Sequence, residues 1–351
     1  MCPDNHYRPK KDTTMTNLKT NYMGLELKNP IIVGANNLVT NIDSLKQMEE
    51  AGAAAVVFKS LFEEQIQLEA MQMDDDMDEY ADRNAEMTTL FPNLEHAGPR
   101  EHLSNVKKAR EALSIPLIAS LNAIYKETWL EYAKLLEDTG VDGVELNFYS
   151  VPRDPSVNGD DIIKEQIEIL NQVKSSLNIP VSVKLSPFYA NPLNVISRMD
   201  KTNVDAFILF NRLFQPDIDL DTESHIVNFP LSTVQDSKLS LRFAGLLYGK
   251  INASIISNTG IQDGSDVIKM ILAGADAVQL VGTVYKNKIK HISTMLQDIE
   301  TWMKGKGYKN LKDFQGKLSN KQTEDPFVYK RAQYVDLLLK SEELFKKKGL
   351  I

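Results

Sequence analysis

The end of a helical pattern is joined to a short apolar run in Thr139-Gly140-Val141-Asp142-Gly143-Val144-Glu145-Leu146-Asn147. Gly140 follows the last helical turn, where a residue in the left-handed conformation can end a helix, and a strand begins a few residues later. Two other joints repeat this device, Ala51-Gly52-Ala53 and Ala273-Gly274-Ala275-Asp276-Ala277. The repetition predicts helices that alternate with strands.

Short apolar runs recur along the chain between candidate helices. Each run is too short for a helix and rich in Val, Ile and Leu, which suits a parallel sheet covered on both faces. Eight such strands most economically close into a (β/α)8 TIM barrel of the α/β class. The alternative, an open doubly wound sheet, more often has fewer strands. The predicted strands are Pro30–Val33, Ala54–Phe58, Pro116–Leu121, Gly143–Leu146, Val181–Leu185, Ala206–Phe210, Ala253–Ser257 and Ala277–Val281.

The domain organisation predicted from these patterns has three parts. Residues 1–20 form a polar leader, residues 21–304 form the barrel, and residues 305–351 form a helical C-terminal extension packed on it. The intervals 59–102 and 211–239 are too long for plain crossovers, so we expect loops inserted over the C-terminal face. The predicted helices are Ile42–Ala51, Leu103–Leu113, Lys126–Thr139, Ile162–Leu177, Leu193–Met199, Ser240–Tyr248 and Asp266–Ala273.

Composition excludes several classes of protein. The 351 residues are 42% apolar and 25% charged, which is typical of a globular chain. A net charge of -8 argues against a nucleic-acid partner, because a phosphate backbone requires a basic surface. Cys2 is the single cysteine, which excludes an intramolecular disulfide and any cysteine-held metal or iron–sulfur site within this chain.

Metal binding and membrane attachment are likewise not expected. The acidic tract Asp74-Asp75-Asp76-Met77-Asp78-Glu79 lacks the glycine and the spaced ligands of a calcium loop, so it predicts a solvated loop. No apolar stretch approaches the roughly 20 residues that span a bilayer, and residues 1–16 fit neither a signal peptide nor an anchor. We therefore expect a cytoplasmic protein without a membrane partner.

Chemistry in a (β/α)8 barrel lies where the strands end, so the polar residues there are the candidates. Lys184 lies between Val183 and Leu185, and a buried ammonium group is costly unless it is paired or held by an anion. Lys184 is therefore either a functional cation or half of a structural ion pair. The other strand-end candidates are Ala35, Asn36, Asn37, Lys59, Ser60, Asn122, Asn147, Ser150, Asn211, Arg212, Asn258, Thr259, Gly260, Gly282 and Thr283.

Two small-residue turns end the last two predicted strands. Asn258-Thr259-Gly260 leads into a helix start, and Val281-Gly282-Thr283 follows the neighbouring strand. Backbone N–H groups at such turns form the phosphate site that barrels often place after strands seven and eight. With two lysines on other strands, the pattern predicts a phosphorylated ligand.

With these residues assembled, the chain resembles the dihydroorotate dehydrogenase family of flavin-dependent barrels, and it is similar to the C-terminal region of dihydropyrimidine dehydrogenase. The resemblance runs from about residue 22 to residue 286, with the order and spacing of the motifs preserved. The matching pieces are Gly24-Leu25-Glu26-Leu27-Lys28-Asn29-Pro30 with Gly34-Ala35, Lys59-Ser60, Gly140 to Asn147, Val183-Lys184-Leu185-Ser186-Pro187 and Gly274 to Thr283.

The resemblance implies FMN in the mouth of the barrel and oxidation of a CH–CH bond in pyrimidine biosynthesis. Lys59 would lie near the N1/O2 edge of the flavin, where a cation stabilises the negative charge of the reduced ring. Ser150 would be the catalytic base, which needs help because a serine hydroxyl is a poor base. The implied cofactor contacts are Ala35, Lys59, Ser60, Asn122, Asn147 and Lys184 at the ring and ribityl chain, and Asn258, Gly260, Gly282 and Thr283 around the phosphate.

The substrate side of the implied site departs from the family pattern. The family usually reads Asn-x-Ser-Cys/Ser-Pro-Asn, whereas this chain reads Asn147-Phe148-Tyr149-Ser150-Val151-Pro152, so a proline replaces the second asparagine. We therefore expect dihydroorotate or a related cyclic or unsaturated carbonyl compound as the substrate. The candidate substrate contacts are Asn93, Asn147, Arg153, Asn211 and Arg212, with surface or interface roles as the alternative for the two arginines.

Two other functions fit the same pattern. A lyase or aldolase would use Lys184 as a Schiff-base amine, and a non-catalytic barrel would bind FMN without turnover. For the oxidoreductase, the electron acceptor is open: any iron–sulfur relay would lie in a partner subunit, because this chain has one cysteine. A homodimer is a further possibility that the resemblance suggests.

Overall fold

The strands of the computed structural model, which describes residues 16–65, 67, 99–148, 154–212, 215–226, 230–347 and 349, form one closed barrel and two hairpins. The barrel order is β11-β12-β3-β4-β5-β6-β7-β8, with every neighbouring pair parallel. The strands are β1 (Thr20–Tyr22), β2 (Leu25–Leu27), β3 (Ile31–Val33), β4 (Ala55–Phe62), β5 (Leu117–Asn122), β6 (Gly143–Asn147), β7 (Val181–Leu185), β8 (Ala206–Leu209), β9 (Asp217–Asp219), β10 (Ser224–Ile226), β11 (Ser254–Asn258) and β12 (Ala277–Leu280).

The closed sheet confirms the predicted (β/α)8 barrel and excludes the open-sheet alternative. Every predicted strand coincides with a barrel strand. The largest difference is at β4, which continues to Phe62 after its register with β5 shifts between Phe58 and Leu61. The hairpins β1–β2 and β9–β10 were not predicted, because strands of three residues give too short a pattern to recognise.

Helices connect the barrel strands at the positions that the periodicity predicts, but most begin earlier. Side-chain caps explain several of these starts: Asn158, Asn191 and Asp263 each accept a hydrogen bond from a backbone N–H of the first turn. The helices are α1 (Ile42–Glu50), α2 (Pro99–Ala112), α3 (Lys126–Glu137), α4 (Gly159–Ser176), α5 (Pro192–Asp200), α6 (Ser237–Leu247), α7 (Gly264–Ala273), α8 (Gly282–Lys286), α9 (His291–Lys306), α10 (Ala332–Leu339) and α11 (Ser341–Lys347).

Side chains alternate between the inside and the outside of the barrel. On β6 and β7 the outward residues Val144, Leu146 and Val183 pack in the cluster between strands and helices. The residues between them point inward, as the two-residue repeat of a strand requires. On these strands the inward side chains are polar, whereas Ile208 on β8 belongs to the separate apolar cluster inside the barrel.

The hairpin β1–β2 closes the amino-terminal end of the barrel. Tyr22 and Met23, at its turn, are buried and pack in the interior cluster with Ile118. A Cβ atom at Gly143, the first residue of β6, would lie 2.9 Å from Met23 Cε, which shows how closely the hairpin approaches the strand starts. The interior is therefore covered at this end by the hairpin.

The segment after α9 runs back over the helical layer. Backbone N–H groups of Gly316, Leu318 and Asn320 donate to carbonyl oxygens of α7 and α6, each at 2.9 Å. The two last helices are less covered, and Leu339 is 81% exposed. Within the described ranges, no helix is long and apolar enough to cross a membrane. The domain boundaries at residues 20 and 304 remain predictions.

Candidate active site

A cavity of about 450 Å³ opens where the barrel strands end. It brings together side chains that are far apart in the sequence, because the carboxyl ends of all parallel strands meet at one face. The predicted residues that line it are Ala35, Asn36, Asn37, Lys59, Ser60, Asn147, Lys184, Asn211, Arg212, Asn258, Thr259, Gly260 and Gly282. Pro230, Leu231 and Ser232 also line it, so part of the long interval 211–239 builds this face as expected.

Two predicted residues lie behind the wall of the cavity. Asn122 is buried, and its Nδ2 donates to the backbone oxygen of Asn147 at 2.9 Å. Thr283 is buried as well, and its hydroxyl donates to the backbone oxygen of Gln262 at 3.0 Å. Both side chains thus hold neighbouring parts of the site. Asn93, Ser150 and Arg153 lie outside the described residues.

Carboxamides form a hydrogen-bonded row along one side of the cavity. Nδ2 of Asn211 donates to Oδ1 of Asn147 at 2.7 Å, and Asn122 holds the backbone of Asn147 from the other side. The backbone N–H of Asn211 donates to the backbone oxygen of Leu185 at 2.7 Å, and this bond holds Asn211 beside the end of β7. Asn147 therefore has a fixed orientation at the end of β6.

Lys184 lies at the floor of the cavity and faces a buried carboxylate. Its side chain is 8% exposed, and Nζ lies 4.0 Å from Oε1 of Glu145, whose side chain is 0% exposed. The other carboxylate oxygen, Oε2, accepts a hydrogen bond of 2.6 Å from Nε2 of Gln279 on β12. Lys184 thus has an ion-pair partner and also lines the cavity, so the two roles considered from the sequence are compatible.

Lys59 lies at the opposite side of the floor, beside a buried histidine. His102, on α2, packs edge-on against Phe58, with ring centroids 5.5 Å apart. Burial lowers the pKa of His102 to about 4, and the positive charge of Lys59 contributes in the same direction. His102 is therefore neutral at physiological pH.

The turn after β11 is held in a conformation that only a few residues tolerate. Thr259 and Gly260 have positive φ angles of 71° and 74°, and for a β-branched residue such as Thr259 this is an outlier. The Thr259 hydroxyl donates to the backbone oxygen of Phe210 at 3.0 Å, and the Gly260 N–H donates to Ser232 Oγ at 3.2 Å. These bonds stabilise a strained turn beside the cavity.

Glycine is required at this turn for space as well as for conformation. A Cβ atom at Gly260 would lie 2.4 Å from the oxygen of Thr233 and 2.5 Å from the nitrogen of Ser237. Gly282 lines the same part of the cavity, and a Cβ atom there would lie 2.9 Å from Ser232 Oγ. The two turns and Ser232 together form a narrow pocket of backbone and hydroxyl groups.

The chemistry of the lining suits an anionic, flat ligand. Lys59, Lys184 and Arg212 supply positive charge, and no carboxylate occurs among the described residues that line the cavity. Asparagine side chains supply both donors and acceptors for the edge of a planar ring. Among the described residues, no group of three or more His, Cys, Asp or Glu side chains could hold a metal ion.

Sequence reasoning missed several residues of the site. Glu145 and Gln279 lie within strands rather than after them, yet each is a polar residue between apolar neighbours, the same signal that identified Lys184. Ser232 and Tyr285 gave no signal, because tertiary packing brings their segments to the cavity. The other lining residues missed are Phe62, Pro230 and Leu231.

Comparison with known proteins identifies the family of this chain. The family model described as dihydroorotate dehydrogenase matches residues 17–303, which include every strand of the barrel. The chain belongs to the dihydroorotate dehydrogenase family. The resemblance stated from the sequence motifs is thereby confirmed.

Three relatives are distant from this chain in sequence, although each matches it over most of both lengths. A protein of Thermoplasma volcanium is 28% identical over 314 residues, covering 86% of this chain and 98% of its own. A protein of Caldicellulosiruptor bescii is 24% identical over 311 residues, covering 86% and 99%. A protein of Methanosarcina mazei is 28% identical over 310 residues, covering 84% and 92%. Each of the three is named dihydroorotate dehydrogenase B (NAD(+)), catalytic subunit.

Proposed function

We propose that this protein is an FMN-dependent oxidoreductase of the dihydroorotate dehydrogenase type, which oxidises dihydroorotate or a related cyclic or unsaturated carbonyl compound in pyrimidine biosynthesis. The observation that carries the proposal is the convergence of Lys59, Lys184 and the Asn147–Asn211 pair on one cavity beside the Gly260 and Gly282 turns. Membership of the family supports the same conclusion.

The residues present fit FMN. The turns at Gly260 and Gly282 both border the cavity and pack too closely on neighbouring segments to carry a side chain, so they present backbone to the ligand space, which suits a phosphate group bound by backbone N–H groups. Lys59 and Lys184 supply the positive charge that a reduced flavin requires, and Asn147 supplies amide hydrogen bonds for the ring. Ala35, Ser60 and Asn258 complete the proposed contacts, with Asn122 and Thr283 as supports behind the wall.

The proposed reaction removes a proton and a hydride from adjacent carbons of the substrate. When bound, FMN accepts the hydride at N5. Ser150 would take the proton while its own hydroxyl proton passes to a water chain or an oriented neighbour, and the cations Lys59 and Lys184 would stabilise the negative charge that reduction places beside them. Asn211 and Arg212 would orient the substrate, with Asn93 and Arg153 as further proposed contacts.

The lyase alternative is disfavoured by the surroundings of Lys184. A Schiff base needs an amine that is free to attack a carbonyl carbon, whereas Nζ of Lys184 faces the buried carboxylate of Glu145 at 4.0 Å as half of an ion pair. Borohydride treatment in the presence of a carbonyl substrate would trap an adduct on Lys184 if the lyase hypothesis were right. We expect no such adduct.

We infer a second subunit for transfer of the electrons onward. The named relatives are catalytic subunits of enzymes that use NAD(+), and Cys2 is the single cysteine here, so an iron–sulfur relay requires another chain. NAD(+) is the proposed terminal acceptor. We also propose that the protein forms a homodimer and is located in the cytoplasm.

The decisive experiment uses the purified full-length chain under anaerobic conditions. We expect it to carry FMN, or to take it up on incubation, and we expect dihydroorotate to bleach the visible absorbance of the bound flavin. A protein that binds no added FMN would contradict the cofactor assignment. Bound flavin that dithionite reduces and dihydroorotate does not would contradict the substrate assignment alone.

A further inference from the structure

Glu145 is a buried charge that the proposed reaction does not use. It faces the inside of the barrel in the middle of β6, between the outward residues Val144 and Leu146, and it does not line the cavity. Gln279 donates to its Oε2 at 2.6 Å. Its Oε1 has no hydrogen-bond donor among the described residues, and the nearest cation, Nζ of Lys184 at 4.0 Å, is beyond hydrogen-bond distance.

A fully buried carboxylate with one hydrogen bond is costly unless a cation neutralises it. Lys184 is placed to do so. Its neighbour in the β6–β7 register is Asn147, whereas Glu145 pairs with Ser182, so Lys184 lies one layer closer to the carboxyl ends than Glu145. Lys184 therefore lies between Glu145 and the ligand space, and Gln279, which donates to Glu145, reaches the cavity from β12.

The charged and titratable groups around this layer are few. Lys59 and Arg212 line the same cavity from β4 and from the segment after β8, and both are positive. Tyr22 approaches from the hairpin below, with Oη 3.4 Å from Ser182 Oγ. Burial raises the pKa of Tyr22 well above its usual value, and the negative charge of Glu145 raises it further, so Tyr22 is neutral. Within the described residues around Lys184, Glu145 is the acid that offsets these cations.

We propose that Glu145 is a positioning residue, whose buried negative charge holds Lys184 at the cavity floor so that the ammonium group of Lys184 meets the anionic part of the ligand. Gln279 holds the carboxylate in place through Oε2, leaving Oε1 directed at Lys184. The inference deepens the proposed function, because it rests on FMN as the ligand that Lys184 meets. The pairing of Glu145 with Lys184 can be tested without any ligand.

The first test measures the stability of the ligand-free, full-length chain by urea unfolding between about pH 6 and pH 9. Glu145→Gln keeps the volume and still accepts from Gln279, but it leaves the buried ammonium group of Lys184 without a counter-charge. We expect this variant to be less stable than the native protein at the low end of the range. The deficit should shrink as pH rises, because the folded variant then sheds the proton of Lys184 while the unfolded chain keeps it.

The sign and size of this effect follow from proton linkage. Stability rises with pH wherever the unfolded state binds more protons than the folded state. For one titrating group, the equilibrium constant of unfolding then falls by up to about tenfold per pH unit. The double variant Glu145→Gln/Lys184→Met should lose this pH dependence, because the titrating amine is gone. Glu165→Gln, an exposed site on α4, is the matched control and should follow the native protein.

Two results of the stability test would overturn the pairing. One is a deficit of Glu145→Gln that stays constant across the pH range, and the other is a double variant that keeps the pH dependence of the single variant. If Glu145→Gln does not fold while the double variant does, the pairing stands, because removing the cation has then rescued the loss of the anion.

The second test measures FMN dissociation constants over the same pH range, each divided by the native value at that pH. For Glu145→Gln we expect this ratio to grow by about tenfold or more as pH rises, since loss of one charge-assisted contact weakens binding by this order. The double variant should show a raised ratio without a pH trend. A ratio near one at every pH for Glu145→Gln would overturn the role of Glu145 toward the ligand. If the native protein binds no FMN, the proposed function fails, whereas the stability profiles still decide the pairing.

Discussion

Nδ2 of Asn211 donates to Oδ1 of Asn147 at 2.7 Å, although Asn211 follows β8 and Asn147 ends β6. The bond crosses β7, which separates the two strands in the barrel. It places a donor–acceptor pair at the edge of the cavity, with Asn122 holding the backbone of Asn147 from behind. The orientation of the Asn147 amide therefore depends on residues from two other strand ends.

Replacing Asn147 by alanine tests this arrangement. The variant leaves Nδ2 of Asn211 without its acceptor and removes a carboxamide from the cavity, so we expect a loss of about 1–2 kcal/mol in unfolding free energy and FMN binding about tenfold weaker. Urea unfolding and flavin fluorescence titration measure the two effects. Asn178→Ala, at an exposed site before β7, is the control. FMN affinity equal in the two variants would contradict a role of Asn147 in the site.

Gly260→Ala tests whether the turn after β11 requires glycine for space. The substitution combines a φ of +74° with a Cβ atom 2.4 Å from the oxygen of Thr233. Gly140→Ala is the matched control, since its φ is +82° and its Cβ atom would meet nothing within 4 Å. We expect the control to cost about 1 kcal/mol in unfolding free energy and Gly260→Ala about 3 kcal/mol.

The same pair of variants should also differ in FMN binding, because the Gly260 turn borders the cavity and Gly140 does not. Isothermal titration of each folded variant measures this. Equal affinities would argue against the turn as the proposed phosphate site, even if the stability difference is found.

Burial of neutral His102 should make the folded protein less stable at acid pH. Its pKa is about 4 in the folded chain and about 6.5 when exposed, so the unfolded chain binds more protons between these values and stability falls as pH drops through this window. The contribution is up to about 3 kcal/mol at the low end. His102→Phe keeps a ring against Phe58 and removes the titrating group, so its stability relative to the native protein should improve as pH falls. Unfolding free energies at several pH values measure this, and a difference independent of pH would contradict it.

Ser150→Ala tests the proposed base. We expect the variant to bind FMN as the native protein does, but to reduce it with dihydroorotate about 10² to 10⁴ times more slowly, the usual contribution of a general base. Stopped-flow absorbance under anaerobic conditions measures the rate. Ser175→Ala, at an exposed site on α4, is the control. Native reduction kinetics in Ser150→Ala would remove this residue from the mechanism.

The barrel could be predicted because its strands are apolar on the outer face and bounded by the glycine joints at Gly52, Gly140 and Gly274. Burial between two layers leaves a nearly continuous apolar run, which is the strongest local signal that a strand can give. The hairpin β1–β2 could not be predicted in this way. Its strands have three residues each, and its formation depends on the open end of the barrel that it covers.

Some residues of the site could likewise be predicted from the sequence, and others could not. Residues directly after a strand, such as Lys59 and Asn211, could be predicted because strand ends meet at one face. Ser232 could not, because its loop reaches the cavity only by packing on the Gly260 turn. Glu145 gave a usable signal, since a glutamate between valine and leucine in a buried strand needs a partner as much as Lys184 does. A search for polar residues within the strands would have found both halves of the pair.

The hairpin that covers the amino-terminal end also decides how strongly the charges inside the barrel interact. Tyr22 and Met23 keep bulk water away from Ser182 and Glu145, so these groups act on one another through a medium of low dielectric constant. A solvent-filled opening there would screen Glu145 from Lys184. The residues that precede the first barrel strand thus strengthen an ion pair that reaches the cavity at the other end of the barrel.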